Sequence, residues 1–521
     1  MEIKNIIYKK DEKELSPKNI LIRELRLNYL KPTFYKIPKF LVSRPKTRVI
    51  CTIGPASSSK RMIKKMILSG MSVARLNLSH GDSEFHKICI ENILEISKDI
   101  DVPVGILADI PGPKFRIGKI NNDELELNKG DELILNNSPR KNNSKVIQVW
   151  PSGIENDIQV GSELILDDGA IKIKVSSIRK DGIKCEVENS GILKSNKSLV
   201  IPGKGSKLDY FTPETIKSLK FIASNEIDFA GMSYIRSVKD VEKVRTFFSD
   251  KKNTPKLISK IELPMDLNTL EEIIKSSDGV MVARGDLGVQ IPISKVPSFQ
   301  KKIINLSNRI GKPVITATQM LESMIESPSP TRAEATDIYN AVNDGTDALM
   351  LSAETSIGKY PVESVKKMSE IALEAEKDFD HINFMENRNN KELNTLVDEA
   401  ISYGACKTAH SVRAKLIIAF TESGSTAGRV ASFRPETPIL ALVANKSVTK
   451  KLSITWGVIA LPAPKFDKVQ DMFSAGSNAA LESNLAKNGD MAVLVVGMPI
   501  GVPGNTNLMR IMKIPEPEID N

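Results

Sequence analysis

Eight short apolar runs, each followed by a helical pattern, constrain this 521-residue chain more than any other feature. They are RVICTIG (48–54), SVARLNL (72–78), VGILAD (104–109), DFAGMSY (228–234), KLISKIE (256–262), GVMVAR (279–284), PVITAT (313–318) and ALMLSAE (348–354). A strand with both faces buried has no polar side to show, so such runs separated by helices signal a parallel sheet covered on both sides. Eight units predict an α/β protein built on a (β/α)8 barrel, with its chemistry at the C-terminal ends of the strands. Short apolar runs and buried helix segments look alike, so the count carries a tolerance of one.

One interval breaks the rhythm. Between the third and fourth runs lie ELELNKGDELIL, SELILDDGAIKIKVSSI and GIKCEVENSGIL, with turn signals at Asp168-Gly169 and Asp181-Gly182. Short alternating segments with such turns predict antiparallel hairpins, here an inserted small β-barrel-like domain at 115–205 that could act as a lid. After the eighth run, helical sequence covers Tyr360–Lys377, and a polar segment (381–393) reads as a linker. KLIIAFT (415–421), PILALVA (438–444), GVIALPA (457–463) and MAVLVVG (491–497) then predict a C-terminal open α/β domain. The expected domains are an N-terminal basic extension (1–46), the barrel (47–114 and 206–385), the lid (115–205) and the C-terminal unit (392–521).

Charge excludes some functions. Residues 1–46 hold twelve Lys/Arg against five Asp/Glu, so +7 of the net +9 lies there and the remainder is nearly balanced. A nucleic-acid protein would spread basic residues over a folded surface, so none is expected as a partner. No apolar run approaches the ~18 residues of a membrane span, so no membrane association is expected. The extension has no apolar core of signal-peptide length and is neither Ser-rich nor poor in acid, as transit peptides are. A loosely ordered extension or docking arm is the expectation, with organellar targeting the alternative. Cys51, Cys89, Cys185 and Cys406 lack metal-ligand spacing, which fits a reducing compartment and a cytoplasmic location.

The predicted strand ends gather Arg75, Asn77, Ser79, His80, Asp109, Lys114, Arg116, Lys260, Glu262, Arg284, Asp286, Thr318 and Glu354 at one rim. Alternation puts Lys260 and Glu262 on one face of a strand, where burial is costly unless they are paired or bind something. A structural ion pair is the plain alternative. Several cations facing one mouth suit a phosphorylated or carboxylated substrate. Glu262 and Asp286, from successive strands, form a two-carboxylate site suited to Mg2+ (or Mn2+), which completes its shell with substrate oxygens and water. Gly285, Asp286, Leu287 and Gly288 begin a turn whose amides could bind a carboxylate. Lys260 beside them could stabilise an enolate or a transferring phosphoryl group. TESGSTA (421–427) carries hydroxyls and glycine into a helix start, which serves an anion or an ordinary N-cap equally well.

The motifs KTRVICTIGPAS (46–57), MSVARLNLSHG (71–81), KLISKIE, GVMVARGDLGV (279–289), ATQMLESM (317–324) and SPTRAEATDIYNAVNDGTDALMLSAET (329–355) closely resemble the pyruvate kinase family. The resemblance runs from Lys46 to the C-terminus. It implies Mg2+-dependent phosphoryl transfer from phosphoenolpyruvate to ADP, giving pyruvate and ATP in glycolysis, usually in a homotetramer. It also implies roles: Glu262 and Asp286 as metal ligands, Lys260 as the lysine that stabilises phosphoryl group and enolate, and Arg75 as a phosphate contact. The amides of Ala283, Arg284, Gly285 and Asp286 with Thr318 resemble the carboxylate cradle, and Thr318 and Ser352 lie near the proton route. Asn77, His80, Arg116 and Lys197 (in SNKSLVIPG, 195–203) match the nucleotide side.

Two departures matter. The third-strand motif ADIPGPKFRIG (108–118) carries Ile110 and Pro111 where Thr and Lys are common, and Lys114 where Glu accompanies a bound K+. Asn77, Ser79, Asp109 and Ile110 mark the monovalent-cation region. Members with Lys at this position resemble a K+-independent class, so K+ is expected not to be required; a solvated Lys114 is the alternative. In the C-terminal domain, Thr421, Glu422, Ser423, Gly424, Ser425 and Thr426 lie where sugar-phosphate activators bind in the family. MPIGVPGNTN (498–507) lacks an aromatic clamp, so a sugar phosphate other than fructose bisphosphate, a nucleotide or no effector stays open. Leu263 and Ala353 are smaller departures, expected to alter rates rather than chemistry.

Two other functions compete. An aldolase or lyase acting on phosphoenolpyruvate would not need Arg116 or Lys197 on an inserted domain. A non-catalytic binding protein would show a degraded rim, whereas Lys260, Glu262, Asp286, Arg75 and Thr318 are all present.

Overall fold

The first apolar run forms strand β1 (Arg48–Thr52), and it pairs in parallel on one side with β2 (Met71–Asn77) and on the other with β8 (Ala348–Leu351). That last pairing closes the barrel. Between them, β3 (Gly105–Ile110), β4 (Phe229–Met232), β5 (Lys256–Ile261), β6 (Gly279–Ala283) and β7 (Val314–Ala317) complete the ring in chain order. The computed structural model describes residues 37–137, 146–180, 182–203, 205–251, 254–389, 396–499 and 505–515.

Strand period decides what each run does. Ile50, Val73, Leu107, Phe229, Ile258, Met281, Ile315 and Met350 point inward and fill the barrel, while neighbours such as Val49, Ala74, Ile106 and Leu257 pack outward on the helices. The helices are capped by local chemistry. Ser59, Asp82, Thr212 and Asp266 each accept a backbone N–H at a helix start, and Thr331 forms a reciprocal capping box with Glu334.

The interval between β3 and β4 folds into a second closed, seven-stranded barrel-like sheet, with a two-stranded ribbon of Glu124–Leu127 and Gly191–Lys194 beside it. Ile171–Arg179 pairs antiparallel with Glu163–Leu166 across the Asp168-Gly169 turn and with Gly182–Val187 after it; Asp181 itself lies outside the described residues. One pair, Glu132–Asn136 with Val146–Trp150, is parallel, so the unit is not purely a set of hairpins. The chain leaves and re-enters the large barrel side by side, since Phe115 is the partner of Leu199.

The C-terminal sheet has five strands rather than four. Leu416–Thr421 (β9), Ile439–Val443 (β10), Val458–Pro462 (β11) and Met491–Gly497 (β12) are parallel, and Thr506–Lys513 (β13) adds antiparallel to β12 at the edge. The spatial order is β11-β10-β9-β12-β13. The expectation of a linker at 381–393 is corrected by a helix at His381–Asn389; residues 390–393 lie outside the described part. Its polar look hid a narrow apolar contact: Met385 is buried against the C-terminal core, and Ile382 packs beside it.

Two units meet at the bottom of the large barrel. Ile454 joins the barrel's interior cluster, and Arg434, 1% exposed, donates to Asp347 Oδ2 (2.8 Å), Gly345 O (2.7 Å) and Asn308 Oδ1 (3.1 Å). The basic extension falls outside the described residues up to position 36, but the stretch after it is docked rather than loose. Ile37 is buried in the C-terminal core, and the Lys46 and Thr47 amides both donate to Glu376.

Candidate active site

Counting by two along the inward face of the strands builds the site. From Val73 the next inward positions are Arg75 and Asn77, from Leu107 it is Asp109, and from Ile258 they are Lys260 and Glu262. The apolar filling of the barrel therefore ends in a layer of charge at the strands' C-terminal mouth. That mouth and the inserted domain enclose a cavity of about 600 Å3, lined among others by Arg75, Asn77, Ser79, His80, Lys114 and Arg116. Lys197, Lys260, Glu262, Gly285 and Asp286 line it as well.

Lys260 sits at the floor. Its ammonium donates to Ser233 Oγ (2.8 Å) and lies 3.2 Å from Asp109 Oδ1 and 2.8 Å from Glu262 Oε1. Burial opposes its charge, but Asp109 and Glu262 overcome that and hold its pKa above the usual lysine range. Arg75 grips the other side of Asp109 through Nε (2.9 Å) and Nη2 (2.6 Å) and reaches Thr52 Oγ1 (2.9 Å). Against the cost of burial, Lys260 and Arg75 keep Asp109 ionised and its pKa below the ordinary carboxylate value.

The two acidic groups differ. Glu262 is 1% exposed, and burial followed by repulsion from Asp286 pushes its pKa up to about 7 despite Lys260. Burial acts on Asp286 in the same sense, but Lys114 and Lys260 together bring it down to about 2. Glu262 Oε2 accepts the Tyr234 N–H at 2.6 Å, whereas Oε1 is buried against the Lys260 ammonium, 2.8 Å away. Two carboxylates from successive strands, lining one cleft and repelling each other, fit a cation. Among the described residues no group of three or more His, Cys, Asp or Glu side chains could hold a metal. A cation here would have two protein carboxylates and draw the rest of its shell from substrate and water.

Several expected residues stand elsewhere. The ion pair Lys114 forms is with Asp286 rather than Asp109: its ammonium donates to Asp286 Oδ1 at 2.8 Å and lies 5.1 Å from the centre of the Tyr234 ring. Asp109 already has two cations, so the free attraction for Lys114 is Asp286. Nor is Lys114 a solvated surface charge, since its side chain is 16% exposed. The Ile110 side chain is buried in the outer core. Arg284 turns from the cleft to Asp337 (2.6 Å) and the Thr318 carbonyl (2.7 Å), so its guanidinium is structural here. Glu354 is spent on backbone, accepting the Leu321 amide from the loop after β7 and the Ser352 amide of its own loop.

Thr318, with a left-handed φ of 66°, accepts the Gly285 N–H at 2.8 Å and donates to Ala317 O. Ala283 is 1% exposed at the end of β6. The Ser352 hydroxyl is buried without a hydrogen-bond partner. Among the residues expected to face a nucleotide, Asn77 Oδ1 accepts the Ser79 amide, Arg116 reaches Asn196 O (3.2 Å), and Lys197 pairs with Asp167 (2.7 Å). Burial, then Arg116, Arg75 and Lys197, lower the His80 pKa and keep the ring neutral.

Sequence reasoning missed Ser233, Tyr234 and Asp168, all of which line the cleft. Ser233 and Tyr234 close the run DFAGMSY, so applying the strand-end rule to that run would have found them. Asp168 was visible only as a turn residue.

The loop Thr421–Thr426 borders a separate cavity of about 280 Å3, shared with Lys465, Phe466 and Asn505. Thr421 Oγ1 accepts the Gly424 amide, Ser423 donates to Ser425, and Thr426 bonds Thr506. Glu422 faces Lys465 at 3.7 Å.

The mouth of this parallel (β/α)8 barrel thus gathers a buried lysine, a paired arginine and two carboxylates under an inserted domain. Profiles described as the pyruvate kinase barrel domain and the pyruvate kinase alpha/beta domain match residues 44–365 and 399–512. Pyruvate kinases of Staphylococcus aureus (strain MRSA252) and Geobacillus stearothermophilus are each 40% identical to it, over 89% of this chain and 80% of theirs. The crystal structure of a pyruvate kinase from Cryptosporidium parvum superposes with a TM-score of 0.85 at 36% identity, covering 92% of this chain and 98% of that one. The chain belongs to the pyruvate kinase family. Membership implies a divalent-metal requirement, and no helix among the described residues is long and apolar enough to cross a membrane.

Proposed function

We propose that this cleft transfers the phosphoryl group of phosphoenolpyruvate to ADP, releasing pyruvate and ATP, with Lys260 as its central charge. The observation that carries the reading is the Lys260 ammonium, buried and held protonated between Asp109 and Glu262 at the floor of the cavity. A phosphoryl group in flight and an enolate oxygen both develop negative charge, and a fixed, desolvated cation stabilises both without reorganising. Arg75, locked by Asp109 and Thr52, presents its remaining donor capacity to the substrate phosphate. The turn Ala283–Asp286 receives the substrate carboxylate, with Thr318 Oγ1 accepting the Gly285 N–H until the carboxylate takes its place. The Thr318 and Ser352 side of the cleft is the route for the proton to the enolate carbon.

Glu262 and Asp286 would hold Mg2+, or Mn2+ in its place. When bound, that ion supplies Lewis-acid neutralisation of charge on the phosphoryl oxygens. Asn77, His80, Arg116 and Lys197 bind the nucleotide, and the inserted domain brings the last two to it. A lyase without a nucleotide would have no use for them there. The Lys114 ammonium already places a positive charge inside the cleft, so K+ is not required.

A homotetramer, a cytoplasmic location and a sugar-phosphate or nucleotide effector at Thr421–Thr426 complete the proposal. A coupled assay with phosphoenolpyruvate, ADP and Mg2+ tests it. Pyruvate should form at a similar rate whether the monovalent cation is K+ or tetramethylammonium. No pyruvate would overturn the reaction, and a several-fold loss without K+ would overturn its independence alone.

A further inference from the structure

Tyr234 touches both acidic groups at once. Its backbone N–H donates to Glu262 Oε2 at 2.6 Å, and its phenol donates to Asp286 Oδ1 at 3.2 Å. The residue is buried, lies two positions past β4, and adopts a left-handed φ of 57°, a conformation that a bulky side chain rarely takes. Gly112 of the neighbouring loop packs so closely on this turn that a Cβ there would lie 2.6 Å from Ser233 O and 3.0 Å from Tyr234 Cβ. The turn is therefore held from outside as well as by its own hydrogen bonds.

The two bonds divide the four carboxylate oxygens. Glu262 Oε2 and Asp286 Oδ1 are occupied, the latter also by Lys114 (2.8 Å). Glu262 Oε1 has the Lys260 ammonium beside it at 2.8 Å, and both hydrogen bonds to the Asp286 carboxylate fall on Oδ1 rather than Oδ2. A carboxylate free to rotate would offer either oxygen; one held by a hydrogen bond has its rotation fixed. Outer groups of this kind orient metal ligands, and removing one typically costs ~10- to 100-fold in metal affinity.

We propose that Tyr234 is a positioning residue of the divalent-cation site, using its amide and its phenol to fix the rotation of the Glu262 and Asp286 carboxylates that would hold the ion. This rests on the reading of Glu262 and Asp286 as the ligands, and the test separates the two. Tyr234→Phe removes only the phenol, keeping the ring beneath Lys114 and the amide bond to Glu262, and circular dichroism with the melting midpoint checks that the fold is kept. Mn2+ binding to the full chain, without substrate, is followed by the loss of the free-ion EPR signal, with Asp286→Asn alongside.

The expected result is a Mn2+ affinity about 10-fold weaker in Tyr234→Phe, with binding lost in Asp286→Asn and an unchanged melting midpoint for the metal-free phenylalanine variant. If Asp286→Asn loses Mn2+ while Tyr234→Phe binds it as tightly as the parent, Tyr234 is no positioning residue, and the ligand assignment stands without it. If neither substitution changes binding, the ligand assignment fails and takes this inference with it.

Discussion

The Lys114 ammonium and the Asp286 carboxylate are 2.8 Å apart, joining the loop after β3 to the residue three positions beyond β6. Lys114 is thus the nearest compensating charge for a carboxylate assigned to the metal, and the Tyr234 ring shields its other side. Replacing it by Glu would put a third acid beside Asp286 and Glu262. Lys114→Glu should lower kcat without K+ by about 10²-fold, the scale of removing a pre-placed charge, and K+ should restore part of the loss. Steady-state rates in K+ against tetramethylammonium read this directly, and equal rates in the two salts would refute it.

Lys260→Met should do more than stop the chemistry. The substitution keeps the aliphatic stem, but Asp109 and Glu262 lose a shared cation in a buried site. Removing one partner of such a group costs about 3–5 kcal/mol. Loss of activity should therefore come with a lower denaturation midpoint, measured in urea, in a chain that remains folded. Near-parental activity would remove Lys260 from the reaction.

Gly112→Ala tests whether the Ser233–Tyr234 turn must keep its place. The added methyl would lie 2.6 Å from Ser233 O and 2.9 Å from its carbonyl carbon, so the turn has to shift. Ser233 accepts from Lys260 and Tyr234 donates to Glu262, so both charges move with it. A displacement near 1 Å at such a site can cost about 10²-fold in rate. We expect kcat to fall on that scale while the melting midpoint drops only modestly; parental kcat would show that the turn is tolerant.

Arg434 joins the C-terminal domain to the floor of the barrel. Its guanidinium is buried, pairs with Asp347 and lies 5.2 Å from the Trp456 ring centre. Arg434→Leu should destabilise the chain by about 3–5 kcal/mol, because Asp347 is left buried without its cation. Calorimetry should show the C-terminal unit melting before the barrel. A single, unshifted transition would contradict the clamp.

His381 gives the same junction a pH dependence. Its Nδ1 bonds the Arg434 carbonyl at 2.7 Å, and burial, with Lys46 nearby, lowers its pKa to about 4. An unfolded histidine titrates near 6.5. Between those values the unfolded chain binds a proton that the folded chain does not, so this contribution is complete above about pH 6.5 and is lost as pH falls toward 4. His381→Gln should make the decline in melting midpoint from pH 7 to pH 4 shallower than in the parent. Parallel curves would exclude His381 as a contributor.

Much of this molecule follows from strand period and short-range chemistry. Runs with both faces apolar have to be covered, so eight of them with intervening helices close into a barrel. Counting by two from Ile258 then leads to Lys260 and Glu262, and from Val73 to Arg75, before any coordinate is known. The two elements that escaped detection have weak local signals. Thr506–Lys513 is a half-exposed edge strand that gains its place by pairing with β12, and His381–Asn389 buries chiefly one Met.

Which charge meets which was not legible along the chain. Lys114 and Asp286 are 172 positions apart, and Arg284 and Asp337 are 53 apart. Ion pairs form wherever the closed barrel brings uncompensated charges within reach, and that depends on every strand at once. Arg75 and Lys260 satisfy Asp109 first, which leaves Lys114 to Asp286 rather than to the region its position in the motif suggested. The strand pattern dictated that cations and carboxylates would share one rim; closure of the ring, with its low-dielectric interior, chose the partners and set Lys260 between Asp109 and Glu262.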